Sequence, residues 1–391
     1  MRIHDVVISM DSHTHSFVDL KPWLPARFRP AFDEATAVGR RIFFEANRMW
    51  GELLREGGEM HWDMDPSIDA SAHRYDLDLT LDQRLRNTEA DGIAAEFIID
   101  GNGPVSTDAE LLHQVTLAYN RWFEEYTAPA RHRIKGAVIV NLIGGVDRAI
   151  EEIRDAHAHG LAAIHLCAQP HMSSRDLPPF GHRLYEPMWS MLDELGMAIV
   201  FHGGVGREKP LLQWGRWGDG QRGWEDLLMM EVNSGNFGAM KHLLLASIPE
   251  RYPHIRFGWI ETGSHWIPPL LRELDAFMKC RRADPVTRMN MSPSEMWQRQ
   301  CFTAGPLGQS EIAILDQVGA RNMMFGSDYI HVEGTYPNSR RHLADILEEL
   351  PSDVAFGIRA GNAARVLGFD LEQIARSVNV QDASEAPAAA H

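Results

Sequence analysis

From Asp91 to Gly326 the chain alternates short apolar runs with helix-length amphipathic segments. This rhythm limits the fold more than any other feature of the sequence. The runs are Ile93 to Ile99, Ile134 to Asn141, Leu161 to Leu166, Met197 to Phe201, Ile255 to Ile260, Cys301 to Ala304 and Asn322 to Gly326, with Val6 to Ile8 ahead of them. Short apolar runs rich in β-branched and aromatic residues and bounded by turn residues read as buried strands. Between them, Asp108 to Tyr126, Asp147 to His159, Arg183 to Leu195, Phe237 to Ile248, Trp266 to Arg282 and Glu311 to Val318 read as helices. Gly160 and Gly196 stand where helix C-caps belong. Two more helices, Arg340 to Glu349 and Ser352 to Leu367, close the chain. Strands separated by helices make a parallel sheet, and eight such units predict an α/β fold, a (β/α)8 TIM-like barrel.

The 391 residues fit one such barrel with insertions. We expect a single unit over residues 1–380, interrupted by an insertion at about 20–90 and followed by a disordered, Ala-rich tail at 381–391. The insertion contains a Pro-rich stretch and a helix near Ala35 to Arg55. It reads as a lid or dimer contact on the functional face, or as an ornament that never touches the site. A second long loop follows strand five and carries Trp214, Trp217 and Trp224. These side chains line a substrate pocket or pack at a subunit contact. The net charge of −16 disfavours nucleic-acid binding, which needs Lys and Arg against phosphates. The three cysteines have no CxxC spacing, so neither a disulfide scaffold nor a cysteine zinc knuckle is indicated. No stretch approaches the roughly 20 apolar residues of a membrane span, and a cytoplasmic enzyme without membrane contact is expected.

Chemistry gathers at the strand ends. In VVISMDSHTH, side chains two apart along a strand share a face, which sets Asp11, His13 and His15 together. Strand four contributes His165. His202 follows strand five, Glu261 strand six and Asp328 strand eight. A barrel collects such positions at one mouth. Two imidazoles from one strand, a third from another and a carboxylate form a set suited to one divalent ion, zinc first, with manganese or iron as alternatives. An open coordination position would take water, whose pKa a metal lowers to about 7, and Asp328 could accept its proton. The competing reading is a polar turn after strand one and buried histidines, His165 and His265 among them, that are simply hydrogen-bonded. His331 orients Asp328 or binds a substrate group. Cys167 reads as an inert buried thiol.

Together DSHTH on strand one, DGIAAEFI on strand two, YNRWFEEY on the first long helix, FHGG after strand five, GSDYIH after strand eight and GNAARVLG near the end resemble the amidohydrolase superfamily. They are most similar to its branch of aminocarboxymuconate-semialdehyde decarboxylase-like proteins, the amidohydrolase-2 family. The likeness spans about Val6 to Gly368 and is weakest over 20–90. It implies His13, His15, His202 and Asp328 as metal ligands, with a small-molecule substrate and a homodimer. One departure stands out. Decarboxylases of the family carry His-Gly-Gly after strand six, where this chain has Glu261-Thr262-Gly263. Glu261 would act as a base, as a wall that repels anions, or as a partner for a substrate amine or hydroxyl. His265 is the candidate to replace the missing imidazole. No lysine ends strand four, which favours one metal ion over two.

The expected function is a metal-dependent hydrolase in which a metal-bound hydroxide attacks an amide, ester or lactone carbonyl. Asp328, aided by Glu261 or His265, would move the proton to the leaving group, and His165, Trp214, Trp217 and His331 would contact substrate. The alternatives are a non-oxidative decarboxylase of an aromatic or unsaturated acid and a barrel that binds a ligand without catalysis.

Overall fold

The structure, a computed structural model, describes residues 1–14, 18–39, 79–99, 106–168, 177–203, 224–281, 289–331 and 334–378. Eight strands follow one another in chain order around one sheet. They are β1 (Ile8–Ser12), β2 (Ala95–Ile99), β3 (Ile134–Ile139), β4 (Ala163–His165), β5 (Ala198–His202), β6 (Arg256–Ile260), β7 (Cys301–Gly305) and β8 (Met323–Phe325). All seven neighbouring pairs are parallel. The seam between β1 and β8 is closed just beyond β8, where Ser12 bridges Tyr329 and the Asp328 N–H donates to the Asp11 carbonyl over 2.8 Å. The result is a nearly closed (β/α)8 barrel.

Alternation along the strands sorts the core into two layers. Met10, Phe97, Ile99, Ala163, Ala198 and Val200 pack with one another in one buried cluster. Their neighbours in sequence, such as Ile98, Ile164, Ile199 and Phe201, pack against the surrounding helices in the other. Two residues on from Ala163 and from Val200, the alternation carries His165 and His202 to the inner side.

The helices begin where local chemistry supplies caps. Asp108 accepts from the N–H groups of Glu110 and Leu111 at the head of Ala109–Thr127. Gly196 closes Glu186–Leu195 at φ 64°, a left-handed position that glycine takes without a Cβ clash.

Several sequence expectations change. Among the described residues, four α-helices were not anticipated: Leu81–Ala90, Ile248–Arg251, Pro293–Gln300 and Leu371–Ser377. The helix expected at Phe237 to Ile248 starts earlier, as Trp224–Leu245, and Glu311 to Val318 divides into Gln309–Ile312 and Leu315–Val318. Ser352 to Leu367 is broken by a π-helical turn at Gly357–Gly361. Within the 20–90 insertion, a 3-10 turn at Ala26–Phe28 leads into α-helical residues from 29, and Leu20, Leu24, Phe32 and Ala35 are buried in the outer core. The rest of the helix expected to reach Arg55, most of the aromatic loop after strand five and the tail at 381–391 lie outside the described residues. No helix among the described residues is long and apolar enough to cross a membrane.

Candidate metal centre

A bulge in β1 sets the direction of the first candidate ligands. Its pairing with β2 runs Ile8 to Ala95 and Ser9 to Glu96, then Ser12 to Ile98, so β1 spends one extra residue over that interval. Such an insertion re-aims the side chains beyond it. Past the bulge, Asp11 and His13 turn toward the centre that His202 reaches from the end of β5. Glu261 and Asp328 arrive from just beyond β6 and β8. Both adopt left-handed backbone conformations, φ 54° and 55°, which are uncommon for residues other than glycine and concentrate at functional sites.

The polar atoms converge. His13 Nε2 lies 3.3 Å from Asp11 Oδ1 and 3.1 Å from Asp328 Oδ1. His202 Nε2 lies 3.2 Å from both Asp11 Oδ1 and Glu261 Oε2. His331 Nδ1 lies 2.8 Å from Asp328 Oδ1, and its ring stacks on that of His13 with centroids 4.1 Å apart. Asp11, His13, His202 and Glu261 form one group able to surround an ion, and His13, Glu261, Asp328 and His331 form an overlapping one. Asp11 and Asp328 are fully buried, while the Glu261 side chain keeps 21 % of its surface exposed.

The hydrogen bonds on the far sides of the rings show what this centre needs. His13 Nδ1 sits 2.7 Å from the Ile99 carbonyl and His202 Nδ1 sits 2.6 Å from the Gly203 carbonyl. A carbonyl only accepts, so both Nδ1 atoms carry hydrogen, and in the neutral rings both Nε2 lone pairs face carboxylate oxygens. Among the described residues, His13 Nε2, Asp11 Oδ2 and both oxygens of Asp328 are buried without a hydrogen-bond partner. Lone pairs that face one another in a dry interior repel unless a proton or a metal ion lies between them. The residues present therefore fit a divalent ion.

The electrostatics agree. Burial alone would lower the pKa of His13, but the carboxylates of Asp11 and Asp328 outweigh it and push it well above the ordinary imidazole value. Burial likewise opposes ionisation of Asp328, yet His331 and His13 hold its carboxyl below the usual range. The same field that would keep a proton on His13 attracts a metal cation.

The remaining candidates are distributed as follows. His15, Trp214 and Trp217 lie outside the described residues. His165 is fully buried, with its ring centroid 5.9 Å from that of His202. The structure does not bring His265 to the cluster. Trp266 Nε1 donates to the carbonyls of Thr262 and Gly263, and the turn they form carries His265 outward to Ser310 and Glu311, 3.2 and 3.1 Å away. Asp11 is the ligand candidate that the sequence placed on the right face without assigning it to the metal.

Comparison with known proteins follows the same outline. No curated protein matches. Among solved structures, an amidohydrolase from Mycobacterium avium subsp. paratuberculosis superposes with a TM-score of 0.67 at 20% identity, over 93% of this chain and 99% of that one. The 5-carboxyvanillate decarboxylase LigW from Sphingomonas paucimobilis gives 0.65 at 15% identity, over 93% and 99%. A dihydroxybenzoic acid decarboxylase from Polaromonas sp. JS666, with bound manganese and the inhibitor 2-nitroresorcinol, gives 0.60 at 14% identity, over 93% and 97%. These identities establish a shared fold. The family model described as Amidohydrolase (Amidohydro_2) matches residues 11–369, and the chain belongs to that family.

Proposed function

We propose that this protein is a metal-dependent hydrolase acting on the neutral carbonyl of an amide, ester or lactone. One divalent ion, zinc or manganese, would be held among Asp11, His13, His202, Glu261 and Asp328, with His15 as a further ligand from the same segment. The observation that carries the reading is the convergence of three carboxylates on two imidazoles whose Nε2 atoms face them. A mixed nitrogen and oxygen set suits either ion. When bound, the ion supplies Lewis acidity toward a carbonyl oxygen and toward water.

The protein groups divide the remaining work. His13 and His202 offer Nε2, with their tautomers fixed by the carbonyls of Ile99 and Gly203. Three carboxylates against one divalent ion leave the cluster net negative. A neutral carbonyl enters without adding charge, whereas a carboxylate would meet Glu261, the most exposed of the three. Asp328 accepts the proton of the attacking water and returns it to the leaving group, with His331 beside its Oδ1. Screening amides, esters and lactones against the parent and Asp328→Asn tests this. Removing a general base costs roughly 10²–10⁴-fold in rate. An Asp328→Asn protein within threefold of the parent on a substrate found this way would refute the role.

The second reading is non-oxidative decarboxylation of an aromatic acid, which the named activities of two of the superposed structures favour. Carbon dioxide release from a panel of hydroxybenzoates, without turnover of any neutral ester, amide or lactone, would replace the hydrolase reading with this one.

A further inference from the structure

The helix Leu81–Ala90 contributes no ligand, yet it touches both segments that do. It opens with a capping box between Thr80 and Gln83. Its inward side carries Arg84, only 1% exposed. A buried guanidinium needs acceptors for its fork of donors. Arg84 Nε and Nη2 each donate to Glu96 of β2 over 2.9 Å, and Nη1 donates to the carbonyl of His13 over 2.6 Å. That carbonyl lies beyond the end of β1, where the strand ladder has stopped, so Arg84 takes the place of a ladder partner.

The same guanidinium stands 5.3 Å from the ring centroid of Tyr329, the residue after Asp328. One turn along the helix, Asn87 Nδ2 donates to the Tyr329 hydroxyl over 2.8 Å. His13 N–H in turn donates to the Tyr329 carbonyl. Arg84 therefore sits across the seam where the barrel closes, between the segment bearing His13 and the segment bearing Asp328.

We propose that Arg84, seated on Glu96, is a positioning residue of the metal centre: it fixes the His13 peptide and the Tyr329 ring, and through them the spacing of His13 Nε2 from Asp328 Oδ1. The proposal rests on the metal-centre reading above. Lysine cannot reproduce it, because one ammonium has neither the planar fork for Glu96 nor a donor fixed toward His13. If Arg84 served only to close the fold, its loss would lower stability and leave the affinity for metal alone.

The test titrates metal-free parent, Arg84→Lys and the double variant Arg84→Leu/Glu96→Leu with Co²⁺. It reads affinity and visible absorption, with the melting temperature of each metal-free protein alongside. Removing both members of a buried ion pair together tends to preserve folding, so the double variant decides the matter if Arg84→Lys fails to fold. We expect the parent to bind one Co²⁺. The variants should bind about 10–100-fold more weakly, as for lost outer-shell partners of metal ligands, with altered absorption bands. A folded double variant with parental affinity and parental bands would overturn the proposal, whatever its melting temperature. A parent that binds none of Co²⁺, Zn²⁺ or Mn²⁺ would overturn the metal-centre reading itself.

Discussion

Glu261 places Oε2 3.2 Å from Nε2 of His202 while its own backbone stands at φ 54°. Conformations of this kind cost on the order of 1–3 kcal/mol in a non-glycine residue and persist where the surroundings enforce them. Three non-glycine residues with positive φ occur among the described residues, and two of them, Glu261 and Asp328, are carboxylates of the candidate metal centre. Strain is thus concentrated where the candidate ligands leave their strands. The Glu261 side chain, at the position where the sequence resemblance implies a histidine, is held against His202.

Glu261→Gln keeps the shape and removes the charge. We expect metal affinity to fall about tenfold, in the range of lost ligand support. Aromatic carboxylates should inhibit the variant more strongly than the parent, because the anion they would face is gone. Equilibrium dialysis and inhibition by benzoate measure both effects. Parental metal retention together with unchanged benzoate inhibition would remove Glu261 from the site.

Gly203 allows β5 and β6 to bring His202 and Glu261 together. A Cβ built on Gly203 would lie 2.3 Å from the carbonyl oxygen of Glu261, a backbone atom that cannot swing aside. Gly326 has a similar task at the other edge, where a Cβ would lie 2.4 Å from that of Asp11 and 3.0 Å from the Cα of Gly305. Gly203→Ala should therefore cost about 1–3 kcal/mol by overpacking and weaken metal binding, since the strand ends must part. Urea denaturation and metal titration check this. A variant with parental stability and affinity would show that the strand ends separate without cost.

The barrel was readable because its strands are mostly apolar and its helices punctuate them regularly, while the polar residues of the candidate site stand in the last residues of the strands or just past them. The β1 bulge was not readable, since a slip of register depends on how β2 pairs and leaves no mark in VVISMDSHTH. Alternation alone grouped Asp11 with His13, and Asp11 stayed outside the expected ligand set because the family resemblance named His13, His15, His202 and Asp328. The helix Leu81–Ala90 escaped for a different reason. Its sequence, LDQRLRNTEA, buries Arg84 and Thr88 and sets only Leu81 and Leu85 against the core, so its inward side is largely polar and its apolar period is one pair long. Thr80 followed by Gln83 was the available signal. His265 shows the converse, because closeness to Glu261 in sequence did not become closeness in space once the Thr262–Gly263 turn faced Trp266.

The pH dependence of stability offers a test away from the candidate metal centre. Asp91 accepts hydrogen bonds from both the N–H and the hydroxyl of Ser339, at the start of the helix that follows β8. Burial pushes its carboxyl up to about 7 despite those bonds. The folded protein then holds a proton that the unfolded chain releases near pH 4. More protons bound in the folded state mean that stability falls as pH rises. The contribution is full below the unfolded pKa and is lost as pH climbs through about 7. Glu152, raised by burial to about 8, adds a slope of the same sign, but that slope is common to parent and variant. Asp91→Asn can accept from the Ser339 N–H and donate to its hydroxyl without ionising. Between pH 5 and pH 8 the variant should therefore gain on the order of 2 kcal/mol relative to the parent. Urea midpoints at the two pH values measure the gain. Parallel stability curves would mean that Asp91 is already ionised in the folded barrel, and that its bonds to Ser339 outweigh the cost of its burial.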